Sequence, residues 1–304
     1  MLASDLAFWR DQTPVTDPGR HAGLLDGLPS DPDELTEISS QLVFHYRAHG
    51  DWAANGISAE RAGEINLCYA EDMFGRLLEL EPSLRAVRSP AQRLLGCCRD
   101  FSALYASMLR HHGIPSRCRV GFAEYFEAGW WIDHVVVEVW EGDSWRMVDP
   151  ELRAGFTAAD GGPFDRLDLG PDRFLTAPQA WLAARQGRID PARVVVGSTL
   201  EVPATRGWPQ LAHNLGHDVA ALIGVELLLW QDWGASASED VTLPKVTAVL
   251  DQAAAATAEP DAPLALIRQW AAHDFLRVPP TVLQVDPVSL EFSQVDVSRA
   301  LSDR

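Results

Sequence analysis

The stretch GCCRDFSALYASMLRHHGIPSRCRVGF, residues 96–122, decides the fold. Apolar side chains recur in its first half at helical spacing, at Phe101, Leu104, Tyr105, Met108 and Leu109. This spacing predicts an amphipathic helix that begins near Cys97. Gly113 and Pro115 end the helix, because glycine suits the position after a last helical turn and proline cannot continue one. The pattern over 116–121 then predicts a strand.

Two more β-segments follow this helix and strand. HVVVEVW (134–140) is rich in β-branched residues, which predicts a buried strand. EGDS (141–144) predicts a hairpin turn, and WRMVD (145–149) predicts the returning strand. A helix followed by an antiparallel sheet makes the predicted fold class α+β.

The rest of the chain divides into three predicted parts around this core. Residues 1–30 contain scattered glycine and proline, which predicts an irregular N-terminal arm. Residues 31–175 are expected to form the core, with helices over 32–49 and from Ser58 to Pro82 before the decisive stretch. Residues 176–304 are expected to form a mainly helical C-terminal region packed on the core. Its predicted helices span 177–186, 208–233, 244–258 and 263–275.

Charge and composition exclude several classes of function. The net charge is −18, and phosphate binding needs a basic surface, so we expect no nucleic-acid partner and no anionic membrane partner. No apolar stretch approaches the roughly 18 residues of a membrane span, and the N-terminus lacks the features of a secretory signal. The four cysteines form no CxxC pair, which argues against structural zinc. We expect a cytoplasmic protein in a reducing compartment.

Two adjacent cysteines lie at the start of the predicted helix. Backbone N–H groups and the helix dipole favour a thiolate there, so Cys97 or Cys98 is a candidate nucleophile. Thiol catalysis also needs a histidine to exchange the proton and a third group to orient that histidine. His134 begins one strand of the predicted hairpin and Asp149 ends the other, so we expect the two to lie close together.

These segments resemble the transglutaminase-like superfamily, whose core is related to papain-type cysteine proteases. The resemblance spans residues 96–150 and rests on several motifs in the correct order. The positions in register with the family pattern are Gly96, Cys98, Asp100, Gly113-Ile114-Pro115, Arg117, Gly121, His134, Trp145 and Asp149-Pro150. The Gly-x-Cys register selects Cys98 over Cys97. The resemblance implies Cys98 as nucleophile, His134 as general base and then acid, and Asp149 as the residue that orients His134. It implies no metal and no organic cofactor.

The reaction that the resemblance implies is cysteine-dependent acyl transfer. The thiolate attacks the carbonyl of an amide or thioester, an acyl-enzyme forms, and water or an amine releases the acyl group. The substrate is expected to be a small molecule, a peptide or a carrier-bound acyl group. Hydrolysis by an amidase or peptidase and transfer by an amide-forming acyltransferase both stay open.

An alternative of another class is a catalytically silent protein-interaction module on the same fold. All three triad positions are filled, which argues against this alternative. The C-terminal helices lie outside the family's minimal core. We therefore expect them to supply specificity, either by covering the cleft or by pairing subunits in an oligomer.

Several other residues are candidates for substrate contact. Trp130 and Trp131 precede His134 in an aromatic loop, which either forms a substrate wall or packs ordinarily. His213 and His217 share one face of a predicted helix. Because the glutamate of HExxH is absent there, a structural or substrate-facing pair is a better interpretation than zinc.

An oxyanion intermediate needs two hydrogen-bond donors. The backbone N–H of Cys98 is the first candidate. Trp52, Asn66 and Tyr69 are the candidates for the second donor, and each is also compatible with a purely structural role.

Overall fold

The computed structural model describes residues 2–234, 241 and 243–302. The helices within these ranges are α1 (Ala3–Arg10), α2 (Pro32–Ser39), α3 (Ala70–Leu80), α4 (Cys98–His111), α5 (Ala177–Arg185), α6 (Gly207–Leu222), α7 (Pro244–Thr257) and α8 (Leu264–Ala271). The strands are β1 (Val43–His45), β2 (Leu94–Gly96), β3 (Ser116–Ala123), β4 (Trp131–Glu141), β5 (Ser144–Val148), β6 (Phe174–Thr176), β7 (Val194–Val195), β8 (Gln231–Asp232), β9 (Thr281–Val285) and β10 (Phe292–Asp296). None of these helices has the length and apolar character that a bilayer span requires.

The largest sheet in the described ranges has the strand order β5-β4-β3-β6, and β7 pairs with the beginning of β4. The pairs β3–β4, β4–β5 and β3–β6 are antiparallel, as the hairpin pattern predicts. Since β6 and β7 come from beyond residue 173, the later part of the chain completes the sheet that the earlier part begins.

Helix α4 is the centre of the core. Each of its residues from Cys98 to Arg110 is buried, and it packs on β3 and β4. Its Phe101 and Leu104 share one apolar cluster with Val135 and Val137 of β4. Ser102, one turn after Cys98, donates a hydrogen bond to the carbonyl of Val135 at 2.9 Å. A cysteine-bearing helix on an antiparallel sheet confirms the predicted α+β class.

The helix predicted over 32–49 is wrong in its second half. Helix α2 ends at Ser39, and β1 follows and pairs in parallel with β2. The pairing buries Val43 against the residues that lead into α4, and this tertiary contact outweighs the helical spacing.

The predicted helix from Ser58 to Pro82 is also interrupted. Residues Ala59–Asn66 form 3-10 turns, and α3 begins only at Ala70. The break coincides with a long-range contact, since the N–H of Ala70 donates to the carbonyl of Val15 at 2.7 Å. Residues 1–30 are less irregular than expected, because they contain α1 and 3-10 turns over Gly19–Gly27.

The C-terminal region is helical, as expected, but it also carries strands. Helix α6 ends at Leu222 rather than near 233, and Gly224 adopts a φ of +83° that a right-handed helix does not allow. The chain then turns back, and β8, β9 and β10 form a small antiparallel sheet.

Candidate active site

The start of α4 is built around Gly96 and Asp100. The N–H of Cys97, the residue before the helix, donates to Asp100 Oδ2 at 2.8 Å, and Asp100 also pairs with Arg99 at 3.1 Å. A Cβ atom at residue 96 would lie only 2.5 Å from Asp100 Oδ2, so glycine makes room for this carboxylate. The motif therefore fixes the backbone that presents Cys98 as the first helical residue. Since no turn precedes it, the N–H of Cys98 has no intrahelical acceptor.

His134 and Asp149 are in direct contact. His134 Nε2 lies 2.8 Å from Asp149 Oδ2, as the hairpin predicted. The hydroxyl of Tyr125 donates to the same oxygen at 2.6 Å, and the N–H of Glu151 donates to Asp149 Oδ1 at 3.0 Å. These contacts hold the carboxylate in one orientation. Nε2 of His134 therefore carries a hydrogen and donates it to Asp149, so Nδ1 is the ring nitrogen that can accept a proton.

Aromatic rings enclose His134. Its ring centroid lies 4.8 Å from that of Phe126 and 6.5 Å from that of Phe174, both in edge-to-face geometry. Gly121 is the residue opposite His134 in the β3–β4 register. A Cβ atom at Gly121 would lie 2.2 Å from the carbonyl oxygen of Leu175, so only glycine allows β6 to approach this closely.

The charge of Asp149 controls the protonation of His134. Burial alone would lower the pKa of His134, but the charge of Asp149 and the hydrogen bond to it outweigh burial and raise the pKa above its ordinary value. The thiol behaves differently from what the helix start predicted. A hydrogen bond with Cys97 and burial raise the pKa of Cys98 well above its ordinary value. The unliganded site therefore holds a neutral thiol rather than a preformed thiolate.

Two further acids connect Cys98 with His134. Asp133 and Glu151 each contribute to the raised pKa of both groups. Asp133 Oδ1 accepts a hydrogen bond from Asn214 of α6 at 2.7 Å. Cys98, His134 and Asp149 are all buried, with at most 4% of each residue exposed.

Residues on and after β1 also border this site, and sequence reasoning missed them. The N–H of Tyr46 donates to the carbonyl of Gly96 at 2.8 Å, which places Tyr46 beside the start of α4. Burial raises the pKa of the Tyr46 phenol, although the charge of Arg47 and a hydrogen bond with it oppose this, so the phenol keeps its proton. His45 and His49 lie in the same segment. The density of aromatic and histidine residues in FHYRAH (44–49) was the available signal.

A family model described as the transglutaminase-like superfamily matches residues 77–150. Residues 77–150 form a transglutaminase-like domain. This domain runs from α3 to Pro150 and contains Cys98, His134 and Asp149. The match confirms the resemblance to the transglutaminase-like superfamily and supports a cysteine-dependent enzyme.

One crystal structure similar to this chain is that of a candidate cysteine protease from Cytophaga hutchinsonii, with a TM-score of 0.32 and 16% sequence identity. The similarity covers 49% of this chain and 43% of that protein. No curated protein matches the chain.

The three candidates for a second oxyanion donor each contact another part of the protein. Trp52 donates its indole N–H to the carbonyl of Tyr46 at 2.9 Å. Asn66 donates to Asp286 at 2.7 Å. The ring of Tyr69 stacks against Arg299, with 4.1 Å between the guanidinium carbon and the ring centroid. Each of the three binds another part of the protein.

Trp130 and Trp131 contact the C-terminal region. The guanidinium of Arg193 lies 4.7 Å from the ring centroid of Trp130. Trp131 is opposite Val194 in the β4–β7 register and joins the apolar cluster of α5, α6 and α7. These contacts support ordinary packing, and the substrate-wall interpretation stays a prediction.

His213 and His217 bind the segment that returns from α6. His213 Nδ1 lies 2.9 Å from Asp232 and Nε2 lies 2.9 Å from the carbonyl of Leu229, so both nitrogens face acceptors. Burial opposes the charge, but Asp232 outweighs it and raises the pKa of His213. His217 bonds to the carbonyl of Gln231 at 2.9 Å. In the described ranges, no cluster of three or more His, Cys, Asp or Glu side chains is arranged to hold a metal ion.

Proposed function

We propose that this protein is a cysteine-dependent acyl-transfer enzyme that acts on an amide or thioester through a covalent acyl-enzyme on Cys98. The observation that carries the proposal is the 2.8 Å contact between His134 Nε2 and Asp149, which leaves Nδ1 of His134 free to serve the thiol at the start of α4. In this role His134 is the general base and then the general acid. Asp149 orients the imidazole and stabilises its protonated form.

The neutral thiol requires proton transfer during the attack rather than before it. His134 Nδ1 accepts the Cys98 proton as the sulfur bonds to the substrate carbonyl. The tetrahedral intermediate then collapses, the leaving group takes that proton from His134, and the acyl group stays on the sulfur. Because the pKa of His134 is raised, acylation is expected to increase with pH as the imidazole loses its proton.

The oxyanion of this intermediate needs two donors. The N–H of Cys98, which has no intrahelical acceptor, is the first. We assign the second to the Tyr46 phenol, because the β1–β2 pairing holds Tyr46 beside the start of α4 and its raised pKa keeps the proton in place. Tyr46 takes the role for which Trp52, Asn66 and Tyr69 were the earlier candidates.

The C-terminal region is the proposed cover of the cleft. His213 and His217 hold the turn over Leu229–Gln231, whose Leu229 and Trp230 pack on the apolar cluster that includes Cys97 and Cys98. The ring of Trp230 meets that of Tyr46 edge to face at 6.1 Å. Movement of this turn would open a path to Cys98 and supply part of the substrate specificity.

The test is a burst assay with p-nitrophenyl acetate and with a small S-acyl thioester. An acyl-enzyme route releases the first equivalent of leaving group faster than later ones. We expect this burst in the wild type and in Cys97→Ala, and no burst in Cys98→Ala. A burst that survives in Cys98→Ala, or no burst with either acyl donor, would contradict the proposal and favour the silent interaction module.

A further inference from the structure

Tyr125 carries a hydroxyl that faces the carboxylate of Asp149. Its side chain is fully buried, and its hydroxyl donates to Asp149 Oδ2 at 2.6 Å. The same oxygen lies 2.8 Å from His134 Nε2, so one carboxylate oxygen accepts two hydrogen bonds. Because Tyr125 and His134 donate to the same atom, each of them weakens the bond that the other one forms.

The rings around Tyr125 are those of phenylalanines. Phe126, Phe156 and Phe164 lie 4.7, 6.1 and 4.8 Å from it, measured between ring centroids, and belong to the same apolar cluster. A phenylalanine at residue 125 would suit this cluster, whereas a buried hydroxyl costs free energy unless it is hydrogen-bonded. The hydroxyl therefore acts on Asp149 and is not needed for the packing of the ring.

The Tyr125 hydroxyl keeps its proton. Burial, the charge of Asp149 and the hydrogen bond to it raise the pKa of the phenol well above its ordinary value. The contact is therefore a charge-assisted hydrogen bond from a neutral phenol to a carboxylate. Such a bond moves part of the negative charge of Asp149 away from His134.

The amount of charge that faces His134 decides whether it can act as a base. Burial lowers the pKa of His134, but the charge of Asp149 and the hydrogen bond to it outweigh burial and raise that pKa above its ordinary value. The thiol of Cys98 is neutral in the unliganded site, so its proton needs an imidazole with a free lone pair. A carboxylate that bound the imidazolium more strongly would leave less of this base near neutral pH.

We propose that Tyr125 is a positioning residue for His134: its hydroxyl shares the charge of Asp149 and so keeps the imidazole in the neutral form that accepts a proton. This role rests on the proposed function, in which His134 is the general base. Loss of the hydroxyl leaves a more localised charge on Asp149, which binds the imidazolium more strongly. The base is then protonated over a wider range of pH, and acylation near neutral pH becomes slower.

Three other titratable groups act on His134 from the segments around it. Asp133 precedes it on β4, Glu151 follows β5, and His45 lies on β1. Burial raises the pKa of Glu151 to about 8, and burial lowers the pKa of His45 to about 3, so both are neutral near pH 7. Within the described ranges, none of the three forms a hydrogen bond to Asp149 Oδ2, so removal of the phenol hydroxyl tests that oxygen separately.

The test is an NMR titration of His134 in protein labelled with ring-15N histidine, which reports the charge of the imidazole whether or not acylation occurs. The His134 signals are those that are absent from His134→Gln. Tyr125→Phe removes the hydroxyl and keeps the ring. The matched control is Tyr105→Phe, because Tyr105 is also buried but donates its hydroxyl to the carbonyl of Pro32 at 3.0 Å.

We expect Tyr125→Phe to raise the midpoint of the His134 titration by about one pH unit, and the acid limb of the acylation burst to move to higher pH with it. Tyr105→Phe should leave both unchanged. In an Asp149→Asn background, Tyr125→Phe should no longer shift the midpoint, because the charge that the hydroxyl shares is absent.

A midpoint that stays or falls in Tyr125→Phe, or that rises equally in Tyr105→Phe, would overturn this role. So would an equal shift in the Asp149→Asn background, since Tyr125 would then act on His134 without the carboxylate. A Tyr125→Phe protein that does not fold would make the hydroxyl structural and would overturn it as well. Failure of the wild type to acylate on Cys98 would instead remove the proposed function, and the titration would still decide whether Tyr125 acts on His134.

Discussion

Strand β4 carries two buried polar clusters, centred on His134 and on Glu138, and they differ in how completely their charges are paired. In the Glu138 cluster, Arg117 and Arg119 both donate to Glu138, and Arg119 forms two more hydrogen bonds to Asp218 of α6, at 3.0 and 2.9 Å. Every one of these side chains is buried and meets an opposite charge. The cluster joins β3, β4 and α6.

The His134 cluster contains one acid whose two oxygens are both hydrogen-bonded and one acid with an unpaired oxygen. Both oxygens of Asp149 accept hydrogen bonds, whereas Oε2 of Glu151 accepts none in the described ranges. Burial of unpaired polar groups lowers stability, and proteins tolerate that loss mainly at functional sites. The two clusters therefore differ in one respect: the charges of the Glu138 cluster are all paired, whereas the His134 cluster retains one unpaired carboxyl oxygen.

The largest effect on the acylation rate is expected when Asp149, whose two oxygens both accept hydrogen bonds, loses its charge. Asp149→Asn removes the group that orients and charges His134, so the acylation rate should fall by about 10²- to 10⁴-fold. The charge of Asp149 raises the pKa of His134 against burial, so its loss lowers that pKa. The acid limb of the acylation rate should therefore move to lower pH in a burst assay. A limb that does not move would mean that Asp149 does not control His134.

Removal of the central acid of the Glu138 cluster should change stability rather than chemistry. Glu138→Gln leaves Arg117 and Arg119 buried beside a neutral amide, which should lower the free energy of unfolding by about 3 kcal/mol or more. Urea unfolding followed by tryptophan fluorescence measures this. The control is Glu141→Gln at the end of the same strand, where the exposed pair with Arg146 should contribute less than about 1 kcal/mol. Equal stability of the two variants would show that the paired cluster is not structural.

Loss of the Glu151 carboxyl should raise the free energy of unfolding, whereas loss of the Glu138 carboxyl lowers it. The pKa of Glu151 is raised from 4.5 to about 8, so the folded state keeps a proton that the unfolded state loses above pH 4.5. Wild-type stability should therefore fall as pH rises through this window. Glu151→Gln lacks this loss and should be more stable than wild type at pH 8 by about 4 kcal/mol, and equal to it near pH 4. A Gln variant that is less stable at pH 8 would make Glu151 a structural acid like Glu138.

The local parts of the transglutaminase-like domain follow from its sequence. Gly113 and Pro115 end α4 where expected, and the β-branched run with the EGDS turn forms the β4–β5 hairpin. The hairpin register pairs Val137 with Val148, so Asp149 follows directly after β5 and lies near His134 as a diagonal neighbour. Signals of this kind lie within a few residues of the structure that they determine.

The remaining features depend on contacts between distant segments. Strand β1 is three residues long, and its partner β2 lies about 50 residues later, so nothing local distinguishes Val43–His45 from a continuing helix. Tyr46 borders the site only because of this pairing. Trp52, Asn66 and Tyr69 are chemically suitable donors, but long-range partners set their directions. Glu151 follows Asp149 by two residues, yet its lack of a partner becomes visible only when every neighbouring element is in place.

The most direct test of the triad is where the acyl group is attached. The protein is incubated with p-nitrophenyl acetate, quenched in acid and digested, and the acetylated peptide is identified by mass spectrometry. We expect one acetyl group on Cys98 in the wild type, its retention in Cys97→Ala and its loss in Cys98→Ala. Acetylation of Cys97 in place of Cys98, or no acetylated cysteine at all, would contradict the assignment of Cys98 as the nucleophile.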